Sequence, residues 1–158
     1  MAGALWGCGF DPLLGPTHEE ARAELEHIRV ATIPERSGQI LRNYLLDGIT
    51  PRGVQAPELY TLRIRLSEPR REIAIRRDDT ASRIAYTASA SFQLVNREGR
   101  TVFGGSSASE TTFEVTNSEF ATLSGLSSAR DRVLQELSAD IREQIAAYLA
   151  LSRSNVGR

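Results

Sequence analysis

Two stretches of the chain alternate between apolar and polar residues, which is the period of a β-strand with one buried face. The first runs from Leu59 to Ser67 and the second from Arg83 to Leu94. The apolar positions of the second stretch are Ile84, Tyr86, Ala88, Ala90, Phe92 and Leu94. A shorter segment rich in branched residues, from Ile28 to Ile33, predicts another strand nearer the amino terminus.

A hairpin is predicted directly after the clearest of these strands. Asn96-Arg97-Glu98-Gly99 has the residues of a short loop, so the segment from Thr101 to Val115 should pair antiparallel with the strand before it. The middle of this segment, Gly104 to Ser109, consists only of small residues. Such a run weakens the register and lets another backbone approach closely, so we expect a bulge or an irregular stretch there.

A first helix is predicted between the first two strands, from Pro34 to Asp47. Pro34 suits the first turn of a helix, and apolar residues then recur at helical spacing. Gly48 followed by Pro51 supplies the expected stop.

A second, longer helix is predicted for the carboxyl-terminal part of the chain. Thr116-Asn117-Ser118-Glu119 has the capping-box pattern that opens a helix. Apolar residues then keep steps of three and four as far as Ser152. Gly125 is the weak point at which this helix could restart.

The order β-α-β-β-β-α predicts an α+β fold. A sheet with one apolar face needs a covering layer, and two helices can supply it. We therefore expect a two-layer sandwich, in which a four-stranded, largely antiparallel sheet is covered on one face by two helices. One domain is predicted over residues 27–151, preceded by a tether at 9–26 and followed by a tail at 152–158.

The composition agrees with a single folded domain and excludes few classes of function. The chain has 158 residues, of which 41% are apolar and 25% charged, as in ordinary globular domains. A net charge of -1 gives no bulk attraction to nucleic acid, so no nucleic-acid partner is expected.

Every basic side chain apart from histidine is an arginine. A coding bias explains this most simply, and phosphate recognition is the alternative, since arginine offers a rigid fork of donors.

The amino terminus carries the pattern of a lipid-anchoring site. Leu5-Trp6-Gly7-Cys8 places a leucine three positions before a cysteine and a small residue directly before it, as in a bacterial lipobox. Residues 1–8 are therefore predicted to be the remnant of a lipoprotein signal, with Cys8 as the acylated residue. A free cysteine near a frayed terminus is the alternative.

Catalytic and metal-binding chemistry find little support in the sequence. His18 and His27 are the only histidines, and neither has a ligand partner nearby in sequence, so both are predicted to be solvated surface residues. The adjacent carboxylates Asp78 and Asp79 diverge on an extended chain and indicate a turn. We expect no metal, no cofactor and no enzymatic activity.

A possible anion-binding patch is indicated by arginines on neighbouring strands. Arg63, Arg65 and Arg83 fall on the polar face of the predicted sheet, and Arg76 and Arg77 lie in the neighbouring turn. Together they could bind a phosphorylated lipid. The simpler interpretation is a solvated sheet face neutralised by nearby acidic residues.

Several segments in this order resemble the LPS-assembly lipoprotein family LptE, in its alphaproteobacterial form. The resemblance is carried by Cys8 to Gly15, Ile28 to Val30, Gly38 to Asn43, Leu59 to Leu62, and Phe120-Ala121 with Leu134 to Leu149. It spans nearly the whole chain, and it depends on the combined order of these segments, since none of them is highly specific alone.

This resemblance implies a lipid-anchored protein on the periplasmic side of the outer membrane. Such a protein would seat inside an LptD-like β-barrel, assist its assembly and contact lipopolysaccharide, for which the five arginines of the predicted patch are the candidates. The alternative is a periplasmic accessory lipoprotein of another envelope transport system. An envelope enzyme is a distant third.

Overall fold

The computed structural model describes residues 23–50, 56–68 and 82–156 of the chain. The elements in chain order are β1 (Ile28–Val30), α1 (Glu35–Ile49), β2 (Tyr60–Ser67), β3 (Ser82–Asn96), β4 (Thr101–Val115) and α2 (Glu119–Val156). The four strands form one sheet in the order β1-β2-β3-β4. β1 is parallel to β2, and the other two pairings are antiparallel. The predicted α+β fold and its element order are confirmed.

The helices cover one face of the sheet, which we call the inner face. Its strand residues include Leu62, Ala88, Ala90, Phe92 and Leu94, all at most 2% exposed. α2 packs on β3 and β4, while α1 packs on α2 and β1. The helix residues of the core include Leu41, Leu45, Ile49, Val133, Leu134, Leu137, Ile141, Ile145 and Leu149. Within the described residues, neither helix has an apolar stretch long enough to cross a membrane.

α1 makes the crossover that a parallel strand pair requires. It continues through Gly48 to Ile49, so the prediction that Gly48 stops it was wrong. A Cβ atom at position 48 would lie 2.3 Å from Nη1 of Arg142 on α2. Gly48 therefore permits the close approach of the Arg142 side chain. The helix ends at Thr50, whose backbone leaves the helical conformation (φ -123°, ψ 63°) while its N–H still donates to the Leu46 carbonyl at 2.8 Å.

β4 is a continuous strand, so the irregular stretch predicted for Gly104 to Ser109 was wrong. The only register shift in the β3–β4 pairing lies between Leu94 and Val95, near the hairpin. Gly105 lies opposite Phe92, and a Cβ atom there would lie 2.6 Å from Cζ of Phe92. The small residue thus makes room for an aromatic ring on the inner face.

α2 is capped by Ser118, whose Oγ accepts a hydrogen bond from the Ala121 N–H at 3.3 Å. The capping box therefore marks the right place but the cap is Ser118, not Thr116. The helix does not restart at Gly125, where a Cβ atom would lie 3.3 Å from Cδ2 of Phe113. It ends at Val156, five residues beyond the predicted end at Leu151.

The folded body begins before the predicted boundary at His27. Leu25, which was assigned to the tether, is 5% exposed and belongs to the core. Next to it, the Glu24 carboxylate accepts a hydrogen bond from Nε of Arg153 on α2. The end of the tether is therefore held against the last turns of α2.

Candidate functional site

The sheet face opposite the helices, which we call the open face, has a floor of small and uncharged side chains. Alternation along each strand places these residues away from the core. On β3 and β4 they are Ser89, Ser91, Gln93, Gly104, Ser106 and Ala108. Because none of them projects far, a bound molecule could lie close to the backbone of the sheet.

Three arginines stand beside this floor, on the two adjoining strands. Arg63 and Arg65 lie opposite Gln93 and Ser91 in the β2–β3 register. Arg29 of β1 lies opposite Thr61, two residues before Arg63. Strand spacing and rise place the backbones of Arg29 and Arg63 about 8 Å apart, and those of Arg63 and Arg65 about 7 Å apart. We call Arg29, Arg63 and Arg65 the arginine cluster.

Two shallow depressions meet at this cluster. One, of about 490 Å³, is lined by Arg63, Arg65, Ser91, Gln93, Gly104 and neighbouring backbone. The other, of about 390 Å³, is lined by Arg29, Arg63, Glu58, Tyr60, Arg97 and neighbouring residues. Arg63 lines both depressions, so the two adjoin at this residue at the basic end of the open face; we call the pair the trough.

The cluster is only partly neutralised. Nε of Arg29 lies 3.4 Å from the Glu58 carboxylate, with both side chains about half exposed. Nε of Arg97 donates to the Glu58 backbone carbonyl at 2.7 Å. Arg63 and Arg65 have no acidic partner among the described residues, so their guanidinium donors are available to a phosphate or carboxylate.

Tyr60 lines the trough with its backbone only, because its side chain lies on the inner face with Leu62 and packs against the core. Burial raises the pKa of its phenol above the ordinary value of 10.0, and the Glu24 carboxylate acts in the same direction. The phenol is therefore neutral at physiological pH and is not part of the open-face site.

The structure divides the predicted arginine patch. Arg83 lies on the open face, but eight residues along β3 from Ser91, the neighbour of Arg65. At the rise of a strand this is about 26 Å. Arg83 is also paired with Glu114 at 3.5 Å. Arg76 and Arg77 lie outside the described residues.

Arg29 and Arg97 belong to the site but were missed in the sequence. The signal for Arg29 was the alternation of Ile28, Arg29 and Val30, which points it away from the core. This alternation could assign Arg29 to the site only once β1 was known to be the neighbour of β2, because that order brings Arg29 beside Arg63.

The other chemistry-bearing residues add no second site. His27 lies at the surface, with Nδ1 2.8 Å from the Pro57 carbonyl oxygen. No group of metal-ligating side chains converges within the described part of the chain. Cys8, His18, Asp78 and Asp79 lie outside the described residues.

Comparison with known proteins shows a likeness of fold. No protein-family model and no curated protein matches the chain in sequence. The crystal structure of a candidate lipoprotein from Caulobacter crescentus CB15 superposes with a TM-score of 0.72 at 24% identity, over 84% of this chain and 97% of that one. A minor lipoprotein from Acinetobacter baumannii superposes with a TM-score of 0.60 at 19% identity, over 77% of this chain and 92% of that one. The chain thus has the fold of these two proteins over most of their length.

Proposed function

We propose that this protein is a lipid-anchored component of the outer-membrane machinery that assembles lipopolysaccharide, of the LptE type. In this proposal it is a binding component and not an enzyme. It is anchored through Cys8 on the periplasmic side and occupies the lumen of an LptD-like β-barrel. The observation that carries the proposal is an arginine cluster on the open face of a body that has the fold of the two bacterial proteins described above, a candidate lipoprotein and a minor lipoprotein.

The distribution of polar residues supports the placement in a barrel. The lumen of a large outer-membrane barrel is polar, so a protein inside it needs a polar exterior. The open face meets this need with its serines, Gln93 and arginines, while the apolar side chains of the sheet are turned toward the helices. The open face can therefore lie against a polar wall without burying large apolar side chains.

The arginine cluster supplies the chemistry for lipopolysaccharide. Lipid A and the inner core carry several phosphate groups, and a guanidinium can bind each of them with two parallel hydrogen bonds. Arg63 and Arg65 project on the same side, with Arg29 beside them, so the cluster can contact more than one phosphate. The small floor leaves room for the sugar rings next to these contacts.

Removing Arg63 and Arg65, which have no acidic partner among the described residues, should weaken lipopolysaccharide binding. We expect the double variant Arg63→Ser/Arg65→Ser to raise the Kd for purified lipopolysaccharide at least tenfold, because each exposed charge-assisted contact contributes up to about 1 kcal/mol and a desolvated one about 1.5 to 3 kcal/mol. Binding is measured by isothermal calorimetry at physiological salt. Thermal unfolding of the variant should be unchanged, since both side chains are exposed.

The matched control removes two arginines elsewhere. Arg36→Ser/Arg83→Ser changes the net charge by the same amount, but Arg36 lies on α1 and Arg83 lies about 26 Å from Arg65. We expect a less than threefold change in Kd for this variant. Equal losses in the two variants would show that binding follows net charge, and unchanged binding in the first would show that the cluster is only a solvated surface.

A further inference from the structure

We propose that the free edge of β4 is a strand-addition site, which takes an extended, basic segment of a partner protein as a fifth strand of the sheet. This edge is distinct from the arginine cluster, because the cluster lies on β1 and β2 and β4 is the strand at the other edge of the sheet. It goes beyond the proposed function because it assigns a second interface with a different kind of ligand.

The sheet order makes β4 an edge strand along all its fifteen residues. Backbone groups of alternate residues point to opposite sides of a strand. The backbone N–H and C=O of Leu62 in β2 point toward β1, because the carbonyl accepts the Ala31 N–H at 2.9 Å. Following the alternation through the β2–β3 and β3–β4 registers assigns the outward-pointing residues of β4 as Gly104, Ser106, Ala108, Glu110, Thr112 and Glu114.

An independent contact agrees with this assignment. The side chain of Gln144 on α2 donates to the Ser106 carbonyl at 3.2 Å, which requires that carbonyl to point away from β3. No other described strand pairs with this edge. The six outward residues are exposed, so a partner backbone can approach them.

The edge lacks several of the features with which proteins usually prevent strand addition, namely proline, lysine side chains, a central bulge and a short strand. The charged side chains that it does carry, Glu110 and Glu114, are acidic. From Val102 to Val115, β4 contains no proline, lysine or arginine. Its one register irregularity lies at the hairpin end, opposite Leu94 and Val95. The stretch from Gly104 to Glu110 therefore presents a regular row of donors and acceptors, in which the Ser106 carbonyl also accepts a hydrogen bond from Gln144 of α2.

The charges around this stretch indicate what kind of segment fits. Glu110 lies on its open-face side, and Glu136 and Asp140 of α2 lie on its inner-face side. Among the described residues their hydrogen-bond donors are the neutral side chains of Thr87, Ser109 and Gln144. Two arginines lie toward the Glu114 end: Arg83 pairs with Glu114, and Arg132 precedes Glu136 by one turn of α2.

This charge pattern distinguishes between possible occupants. A second copy of β4 would bring its own Glu110, Glu136 and Asp140 against those of the first, which is unfavourable. An extended segment with lysine or arginine at alternate positions would place its charges on one face of the sheet, beside Glu136 and Asp140 on the inner-face side or beside Glu110 on the open-face side, while its backbone completes the ladder. The occupant is therefore a basic strand of a different protein.

A synthetic peptide tests the site. The probe is an amidated nonapeptide in which lysine and valine alternate, with a fluorescein group on its amino terminus, and the comparison peptide carries the same label and has glutamate in place of lysine. We expect saturable binding of the lysine peptide to the full chain by fluorescence anisotropy, at least tenfold tighter than that of the glutamate peptide. Binding should also slow hydrogen exchange of the Ser106, Ala108 and Glu110 amides.

Ala108→Pro is the diagnostic variant. The Ala108 N–H points outward, so proline removes a donor from the edge and none from the β3 pairing. We expect the variant to keep its cooperative unfolding and to lose at least tenfold in affinity for the lysine peptide. Ala108→Ser, which keeps the N–H, should bind as the unchanged protein does.

Three results would overturn the proposal. The first is that Ala108→Pro and Ala108→Ser bind the lysine peptide equally well, and the second is that the unchanged protein shows no saturable binding at millimolar peptide. The third is that the outward-pointing amides of β4 are already protected from hydrogen exchange without peptide. If Ala108→Pro unfolds, the variant Glu110→Gln/Glu136→Gln replaces it, and an unchanged affinity for the lysine peptide then overturns the proposal. The assay contains neither lipopolysaccharide nor a barrel, so its outcome is independent of the proposed function.

Discussion

Truncation of Leu137 to alanine is expected to lower the free energy of unfolding by about 2 to 5 kcal/mol. Leu137 is fully buried in the middle of α2 and belongs to the core that joins both helices to the inner face of the sheet. Alanine removes three carbon atoms from this core and leaves a cavity that a sheet on one side and a helix on the other can only partly fill. Since a domain of this size is stabilised by about 5 to 15 kcal/mol, the loss is a large fraction of the total.

The same substitution at an exposed leucine of α2 provides the control. Leu123 is 58% exposed, so Leu123→Ala should change the free energy of unfolding by about 0.5 kcal/mol or less. Both variants are measured by urea denaturation, in which a shift of the midpoint at constant slope reports stability alone. Similar midpoints for the two variants would contradict the packing of α2 on the sheet.

Replacement of Gly105 by alanine is expected to destabilise the protein by about 1 to 3 kcal/mol, although alanine is ordinarily the better residue in a strand. The new Cβ atom would lie 2.6 Å from the Phe92 ring and 2.7 Å from Oε1 of Gln144. Phe92 is 2% exposed and therefore cannot move away without displacing the core. The strand or the ring must shift instead.

Its neighbour Gly104 offers a matched comparison. A Cβ atom there would meet only the Phe92 carbonyl oxygen, at the ordinary contact distance of 3.4 Å, because this position belongs to the open face. Gly104→Ala should leave stability unchanged or raise it by up to about 1 kcal/mol. If thermal unfolding shows Gly104→Ala to be the more damaging of the two, the face assignment of β4 is wrong.

The sequence was sufficient for the element order and for the faces of β2 and β3. A period of two leaves no freedom in which residues share a face, so Phe92 and Leu94 had to lie on one side and Arg63 and Arg65 on the other. The roles of two glycines were predicted wrongly. Gly48 was taken for a helix stop and Gly105 for part of an irregular stretch, because the sequence does not show that Arg142 and Phe92 are their neighbours in space.

The candidate site was predictable only in part for a similar reason. Alternation placed Arg63, Arg65 and Arg83 on the open face, but distances along the sheet depend on register. Only the pairing of Arg65 with Ser91 showed that Arg83 is remote from the other two. The position of Arg29 could be predicted only from the sheet order. β1 has three residues and connects to β2 through a helix, so the local sequence does not identify its neighbour in the sheet.

The central claim is membership of the lipopolysaccharide-assembly machinery, and association with a barrel tests it most directly. The full-length chain with a carboxyl-terminal affinity tag would be purified from the outer membranes of its host in mild detergent, and its partners quantified by mass spectrometry. The proposed function predicts a near one-to-one complex with an LptD-like β-barrel, and loss of assembled barrel when the protein is depleted. Purification without a barrel, or with the components of another envelope transport system, would contradict it.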